Sequence, residues 1–224
     1  MIISGFWGVL AGSLLWLDRV FIFQLMFSRP LIMGPIIAFL MGDMKIGILI
    51  GASLELLWLN APPVGSYLPN DESFCTAAAV PVAVLAGSSM DHTAAAGLSI
   101  LLSLPVSLVG RSLDIRLRTI NKRLITPGGL ISEKDVATVM KRAVARTFIV
   151  AFVVLSSCVT VLAVMAHLIR TTLPDAALTP LMYMPFTCII IGLAALVSRE
   201  MPRKSHVGVF ILGMALVLLL TWIL

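Results

Sequence analysis

The chain has 224 residues, 59% of them hydrophobic and only 12% charged, with a mean hydropathy of +1.06. Soluble domains are about half apolar and about a quarter charged, so an ordinary globular enzyme and a disordered chain are both excluded. The net charge of +5 is no sign of a nucleic-acid partner, because it has one source: residues 111–146 carry +6 and the rest of the chain sums to −1.

At about 20 apolar residues per crossing, the chain has room for several membrane helices and no separate soluble unit. The opening stretch MIISGFWGVLAGSLLWL lacks a positive n-region and an A-x-A-like site, which predicts a retained first helix. From there to Ala86 the apolar sequence is interrupted at Asp18-Arg19, Ser28-Arg29-Pro30, Gly42-Asp43-Met44-Lys45 and Asn60-Ala61-Pro62-Pro63. Pieces such as residues 31–41 and 75–86 are about half a span long. They predict broken or re-entrant helices, whose freed backbone groups must face protein or a water-filled cavity. Short loops between kinked helices are the plainer alternative.

Residues 42–73 are the richest in polar groups. Asp43, Gly47, Gly51 and Glu55 recur every four residues and form one stripe of a helix. Asp43 suits an N-cap at the membrane edge. Gly47 and Gly51 make a close-approach face that predicts contact with another helix. That contact draws Glu55 inward, where its carboxylate needs a donor: a proton, a substrate hydroxyl, or the backbone N–H groups of a broken helix. Asn60, Ser66, Tyr67, Asn70, Asp71, Glu72 and Ser73 follow on a segment rich in proline. Amide, hydroxyl and carboxylate groups on rigid turns suit a polyhydroxylated ligand, with Trp58 or Tyr67 covering an apolar sugar face. An exposed polar loop is the alternative for Asn70-Asp71-Glu72.

Residues 111–146 read as a basic cytoplasmic loop. Pro127-Gly128-Gly129 is a turn, and Ser132 with Asp135 resembles a capping box that opens an amphipathic helix. Its stripe of Val136, Val139, Met140, Ala143 and Val144 suits a helix lying on anionic headgroups, with docking of a soluble partner as a further role and a plain lead into the span at Thr147 as the alternative. Apolar runs at 147–169, 178–198 and 207–224 predict three spans. A second basic turn at Arg199, Glu200, Arg203 and Lys204 falls on the same side as residues 111–146. The positive-inside rule puts both in the cytoplasm. The expected fold is thus all-α, one polytopic integral membrane domain over residues 1–224. Residues 1–110 form a half with interrupted helices, 111–146 the loop, and 147–224 the spans.

Cys75, Cys158 and Cys188 have no metal-ligand or redox spacing and read as small buried hydrophobes. His92, His167 and His206 lie far apart near the ends of apolar segments, in interfacial or capping positions. Trp7, Trp16 and Trp222 read as interface anchors. Nothing resembles a P-loop, a GxSxG elbow or an HExxH helix, so no catalytic set, metal site or cofactor is expected.

GDMKIGILIGASLELLWL followed by APPVGSYLPNDES resembles the signature region of the IIC membrane component of the mannose/fructose/sorbose family of the bacterial sugar phosphotransferase system. FQLMFSRPLIMGPIIAFLMGD just before it is similar to the family's Phe-Gln segment and Arg-Pro, although Ser28 stands where many members have histidine. The resemblance covers residues 23–86. It implies a permease subunit of the bacterial inner membrane, in an oligomeric complex with a IID membrane subunit. Soluble IIA and IIB proteins would phosphorylate the hexose as it reaches the cytoplasm. By position, Glu55 matches the family's Leu-Glu-Leu glutamate, Asp71 its acidic turn and Gln24 its Phe-Gln element. With Asn70, Glu72 and Ser66 these make the expected sugar-binding set. A non-transporting scaffold or regulatory subunit is the alternative.

Overall fold

The short helices of the N-terminal half begin and end at residues whose backbone chemistry demands it. The computed structural model describes residues 2–59, 68–124, 133–200 and 208. It contains α1 (Ile2–Leu17), α2 (Pro30–Met41), α3 (Met44–Trp58), α4 (Glu72–Ala86), α5 (His92–Ser103), α6 (Val106–Lys122), α7 (Glu133–Thr172), α8 (Asp175–Leu178), a 3-10 segment (Thr179–Tyr183) and α9 (Met184–Glu200). No strand occurs among the described residues, as the all-α expectation requires. Ser66, Asn60, Tyr67, the Pro127-Gly128-Gly129 turn, Ser132, His206, Trp222 and all of the run 207–224 but Gly208 lie outside the described residues.

Pro30 opens α2 at a position where a missing N–H costs nothing. The helix stops at Gly42, whose φ of 94° lies in the left-handed region that a side chain resists. The N–H groups of Gly42 and Asp43 return to Phe39 O and Ala38 O at 3.1 and 2.9 Å. Asp43 then caps α3, its carboxylate accepting from the Ile46 N–H at 3.3 Å. This two-residue link folds α3 back along α2 as a hairpin. Its 12- and 15-residue arms are about 18 and 23 Å long, short of the ~30 Å hydrocarbon core. An alanine at Gly42 would meet no atom within 4 Å, so its cost is conformational alone. Gly42→Ala should destabilise by about 1–2 kcal/mol, read as a lower thermal midpoint in detergent.

The hairpin packs against α4, which is buried on all sides over the 11 residues from Ser73 to Ala83. An apolar helix without a polar face is a core helix, and α4 touches α1, α2, α3, α5, α6 and α7. Small residues allow the close approach. A Cβ added at Gly12 of α1 would sit 3.0 Å from Ala77 Cβ, and one at Gly110 of α6 would sit 2.7 Å from Asp71 Cβ. Trp16, expected as an interface anchor, is only 1% exposed and belongs to this core. Its indole is held inside by a carboxylate partner described below.

Beyond the core the elements lengthen. α5 and α6 bend by 46° at Leu104-Pro105 and together form a broken apolar pair. α7 contains neither glycine nor proline and runs unbroken for 40 residues, about 60 Å and twice the hydrocarbon thickness. The amphipathic stretch expected to lie on headgroups is therefore the first part of this long helix. With no breaker after Glu133, nothing turns it aside. Asn121 Nδ2 donates to Thr147 Oγ1 at 3.1 Å and ties α6 to α7. The apolar stretch Asp175–Ser198 includes the 3-10 segment Thr179–Tyr183, with Pro180 inside it. Asp135–Thr172 and Asp175–Ser198 are each long and apolar enough to cross a membrane. Ile149, Val153, Val161 and Leu168 of α7 and Phe186 and Ile190 of α9 are exposed, as lipid-facing side chains are.

Candidate functional site

Four helix termini meet at one end of α4: the end of α1, the start of α2, the last turn of α3 and the start of α4. The link from α1 to α2 is shaped by Asp18, which is 8% exposed. Its carboxylate accepts from the Leu25 N–H at 2.8 Å and the Ser28 N–H at 3.4 Å. Within this loop Phe23, Gln24 and Met26 take φ values of 32°, 57° and 66°. Such conformations cost about 1–3 kcal/mol each and persist where the surroundings over-determine them. Gln24 is exposed, and its Nε2 donates to Val20 O at 3.3 Å.

The loop delivers Arg29 between two carboxylates. Arg29 Nη1 lies 3.3 Å from Glu55 Oε1 and 3.9 Å from Glu72 Oε1. The other Glu55 oxygen accepts from the Leu31 N–H at 3.4 Å, in the first turn of α2. Glu55 and Glu72 are 17% and 16% exposed, and Arg29 is 46% exposed. One guanidinium is thus shared by two largely covered acids, each of which can accept up to about four hydrogen bonds. Asn70, half-buried, stands two residues before Glu72 in the chain.

Asp71 is a different kind of carboxylate. It is 1% exposed, caps α4 by accepting from the Phe74 N–H at 2.9 Å, and accepts from Trp16 Nε1 at 2.8 Å. Arg19 forms an ion pair with it, and its own N–H donates to Ser107 O at 3.0 Å. The Trp16 and Arg19 contacts tie the end of α1 to the start of α4, and the Ser107 contact ties α6 to it, so Asp71 holds these termini together.

The stripe on α3 faces α2. A Cβ at Gly34 would fall 2.6 Å from Gly47 O, and side chains at Gly47 and Gly51 would collide with Gly34 O and Pro30 O. These approaches set Glu55 beside the start of α2, where Arg29 and Leu31 reach it. Of the residues singled out in the sequence, Glu55 and Glu72 come together here. Asn70 flanks Asp71 in the chain, Asp71 turns inward, and Gln24 stays on the neighbouring loop. Sequence reasoning noted Asp18 and Arg19 only as an interruption, and Arg29 as an interruption and part of the Arg-Pro resemblance, and counted none of them in the site. A charge inside apolar sequence must find a partner, and that was the available signal.

The cluster offers acceptors and a guanidinium donor, and so suits hydroxyl-bearing ligands. Among the described residues no group of three His, Cys, Asp or Glu could hold a metal ion.

A family model described as "PTS system sorbose-specific iic component" matches residues 1–224. The PTS system mannose-specific EIIC component of Escherichia coli (strain K12) is 32% identical over 97 residues, 43% of this chain and 34% of that protein. The PTS system sorbose-specific EIIC component of Klebsiella pneumoniae is 29% identical over 92 residues, 41% of this chain and 32% of that protein. The aligned part spans about a third of the length of these curated relatives. A solved complex of the mannose transporter ManYZ with microcin E492 contains a chain that is similar in fold. Its TM-score is 0.53 and its identity 19%, over 96% of this chain and 86% of that one. A further solved membrane protein gives a TM-score of 0.62 at 17% identity, with the same coverage.

Proposed function

The chain belongs to the family of PTS sorbose-specific IIC components, and from that premise we propose that it is a sugar-translocating subunit that passes a hexose to the cytoplasm. The observation that carries this reading is the Arg29–Glu55–Glu72 cluster at the meeting point of α2, α3 and α4. Carboxylates accept from sugar hydroxyls, and the guanidinium donates to hydroxyl or ring oxygens. The ligand set is therefore Glu55, Glu72 and Arg29, with Gln24 and Asn70 flanking. Asp71 is left out, because its oxygens already serve Phe74, Trp16 and Arg19. Gly34, Gly47 and Gly51 lock α2 to α3, so Arg29 and Glu55 are carried on one rigid hairpin.

Glu55→Gln keeps an acceptor for the Leu31 N–H but removes the charge. In the assembled complex it should lower hexose uptake at least tenfold, and Glu72→Gln should act in the same direction. Unchanged uptake by both variants would remove the site assignment. A second reading is a non-transporting scaffold or regulatory subunit, favoured by the internal Arg29–Glu55 pairing. It requires that the complex assemble normally and that no hexose raise its melting temperature.

Phosphorylation is assigned to partners: a IID membrane subunit completes the pathway in the bacterial inner membrane, and soluble IIA and IIB proteins carry the phosphoryl group. The exposed Lys141 and Arg142 near the start of α7 offer a basic surface to an acidic soluble protein, with residues 111–146 on the cytoplasmic side. Replacing both with glutamine should slow sugar phosphorylation several-fold, most strongly at low salt. An unaltered rate at low salt would remove this docking assignment.

A further inference from the structure

Away from the Glu55 cluster, a groove of about 770 Å³ runs between α1, the end of α4 and α7. That lies within the roughly 300–1,000 Å³ typical of small-molecule sites. Its surface is apolar along most of its length, with Gly5, Phe6, Ala86, Phe152, Ala163 and Ala166 among its lining residues. From Phe152 to Arg170 it follows α7 for about 27 Å, longer than one ~15 Å leaflet of the hydrocarbon core.

One end is polar. Ser88, Ser89, His167 and Arg170 line it. Arg170 donates to Ser89 O at 3.2 Å and pairs with Asp175 at 3.0 Å, and it also lines an adjoining hollow of about 230 Å³ with Asp91 and Asp175. Asp175 is 86% exposed. The backbone N–H groups of Ala94 and Thr93 hold the Asp91 carboxyl below the usual carboxylate range, so its negative charge is available. No charged residue lies between Arg146 and Arg170 in α7, which puts Arg170 where the apolar run meets the interface.

We propose that this groove holds an acyl chain of a zwitterionic aminophospholipid, with the lipid phosphate on Arg170 and His167 and its ammonium on Asp175 and Asp91. The order of charges argues for this lipid class. A cationic group closes the apolar groove, and two carboxylates lie beyond it, which matches phosphate followed by amine. A purely anionic headgroup would meet the same carboxylates and be repelled.

The test is native mass spectrometry of the full chain exchanged into mild detergent, titrated with dioleoyl phosphatidylethanolamine and with dioleoyl phosphatidylglycerol. The wild type should retain one phosphatidylethanolamine at least fivefold more strongly than phosphatidylglycerol. Ala163→Phe fills the groove and should abolish retention of either lipid. Asp175→Asn, at an exposed position that leaves the fold intact, should reduce the preference to about one. Equal retention of both lipids by the wild type, or a preference unchanged in Asp175→Asn, would overturn the proposal. So would a cross-link from Ala163→Cys to residues 207–224 or to a membrane partner, since a protein segment would then occupy the groove.

Discussion

Replacing Asp71 with alanine should leave little folded protein, with the loss seen as a collapsed thermal midpoint and aggregation on extraction. The substitution strands Arg19 beside the core, opens the α4 cap and leaves the Trp16 indole N–H without its acceptor. Breaking a buried pair by removing one partner costs about 3–5 kcal/mol. Arg19 is 19% exposed, which draws the figure toward the lower end. The lost cap adds about 1 kcal/mol. Asp71→Asn keeps a capping acceptor and should destabilise less. Trp16→Phe keeps a ring against Phe74, whose centroid lies 5.4 Å away, and should cost about 1.5–3 kcal/mol for the lost bond to a charged acceptor. If Asp71 instead bound sugar, Asp71→Asn would melt like the wild type and lose only uptake. The two roles therefore separate in a single melting experiment.

Gly47→Val is the second change expected to have a large effect. The added side chain meets Gly34 O and Ala38 Cβ, and a backbone oxygen cannot yield without moving α2 as a whole. Overpacking costs about 1–3 kcal/mol where side chains can adjust, and a backbone contact puts this case at the upper end or beyond. Gly47→Ala should already cost more than Gly42→Ala, because Gly42 lacks only conformational freedom whereas Gly47 lacks space. Opening the hairpin also separates Glu55 from Arg29 and Leu31. Uptake should therefore fall in step with stability rather than independently of it. A Gly47→Val protein that melts like the wild type would refute the packing argument.

Much of the local structure was legible because single residues force it. Pro30, Gly42 and Asp43 start, stop and cap helices through their own backbone and side-chain chemistry, whatever surrounds them. The four-residue repeat of Asp43, Gly47, Gly51 and Glu55 identified the packed face of α3 for a similar reason: helix geometry alone puts those positions in line. The basic segment was read as a helix of its own, and the structure continues it into the apolar run as one helix, Glu133–Thr172. Amphipathic character states which face is polar, but only the absence of a breaker between Glu133 and Thr172 made one long helix of it. Trp16 was misplaced for the opposite reason. An indole prefers an interface until a buried acceptor is within reach, and the acceptor comes from Asp71, 55 residues away.

Composition and periodicity by themselves determined a helical membrane protein with interrupted N-terminal helices. Water-free surroundings leave an uncharged chain few other ways to pair its backbone groups. The tertiary structure decided what each acid is paired with. Glu55, Asp71 and Glu72 look alike in sequence, and all stand near turns in apolar surroundings. Arg19, Trp16 and the Phe74 N–H enclose Asp71, whereas Glu55 and Glu72, beside Arg29, keep a small exposed edge. A carboxylate's role follows from its donors and its burial, and both are supplied by elements distant along the chain.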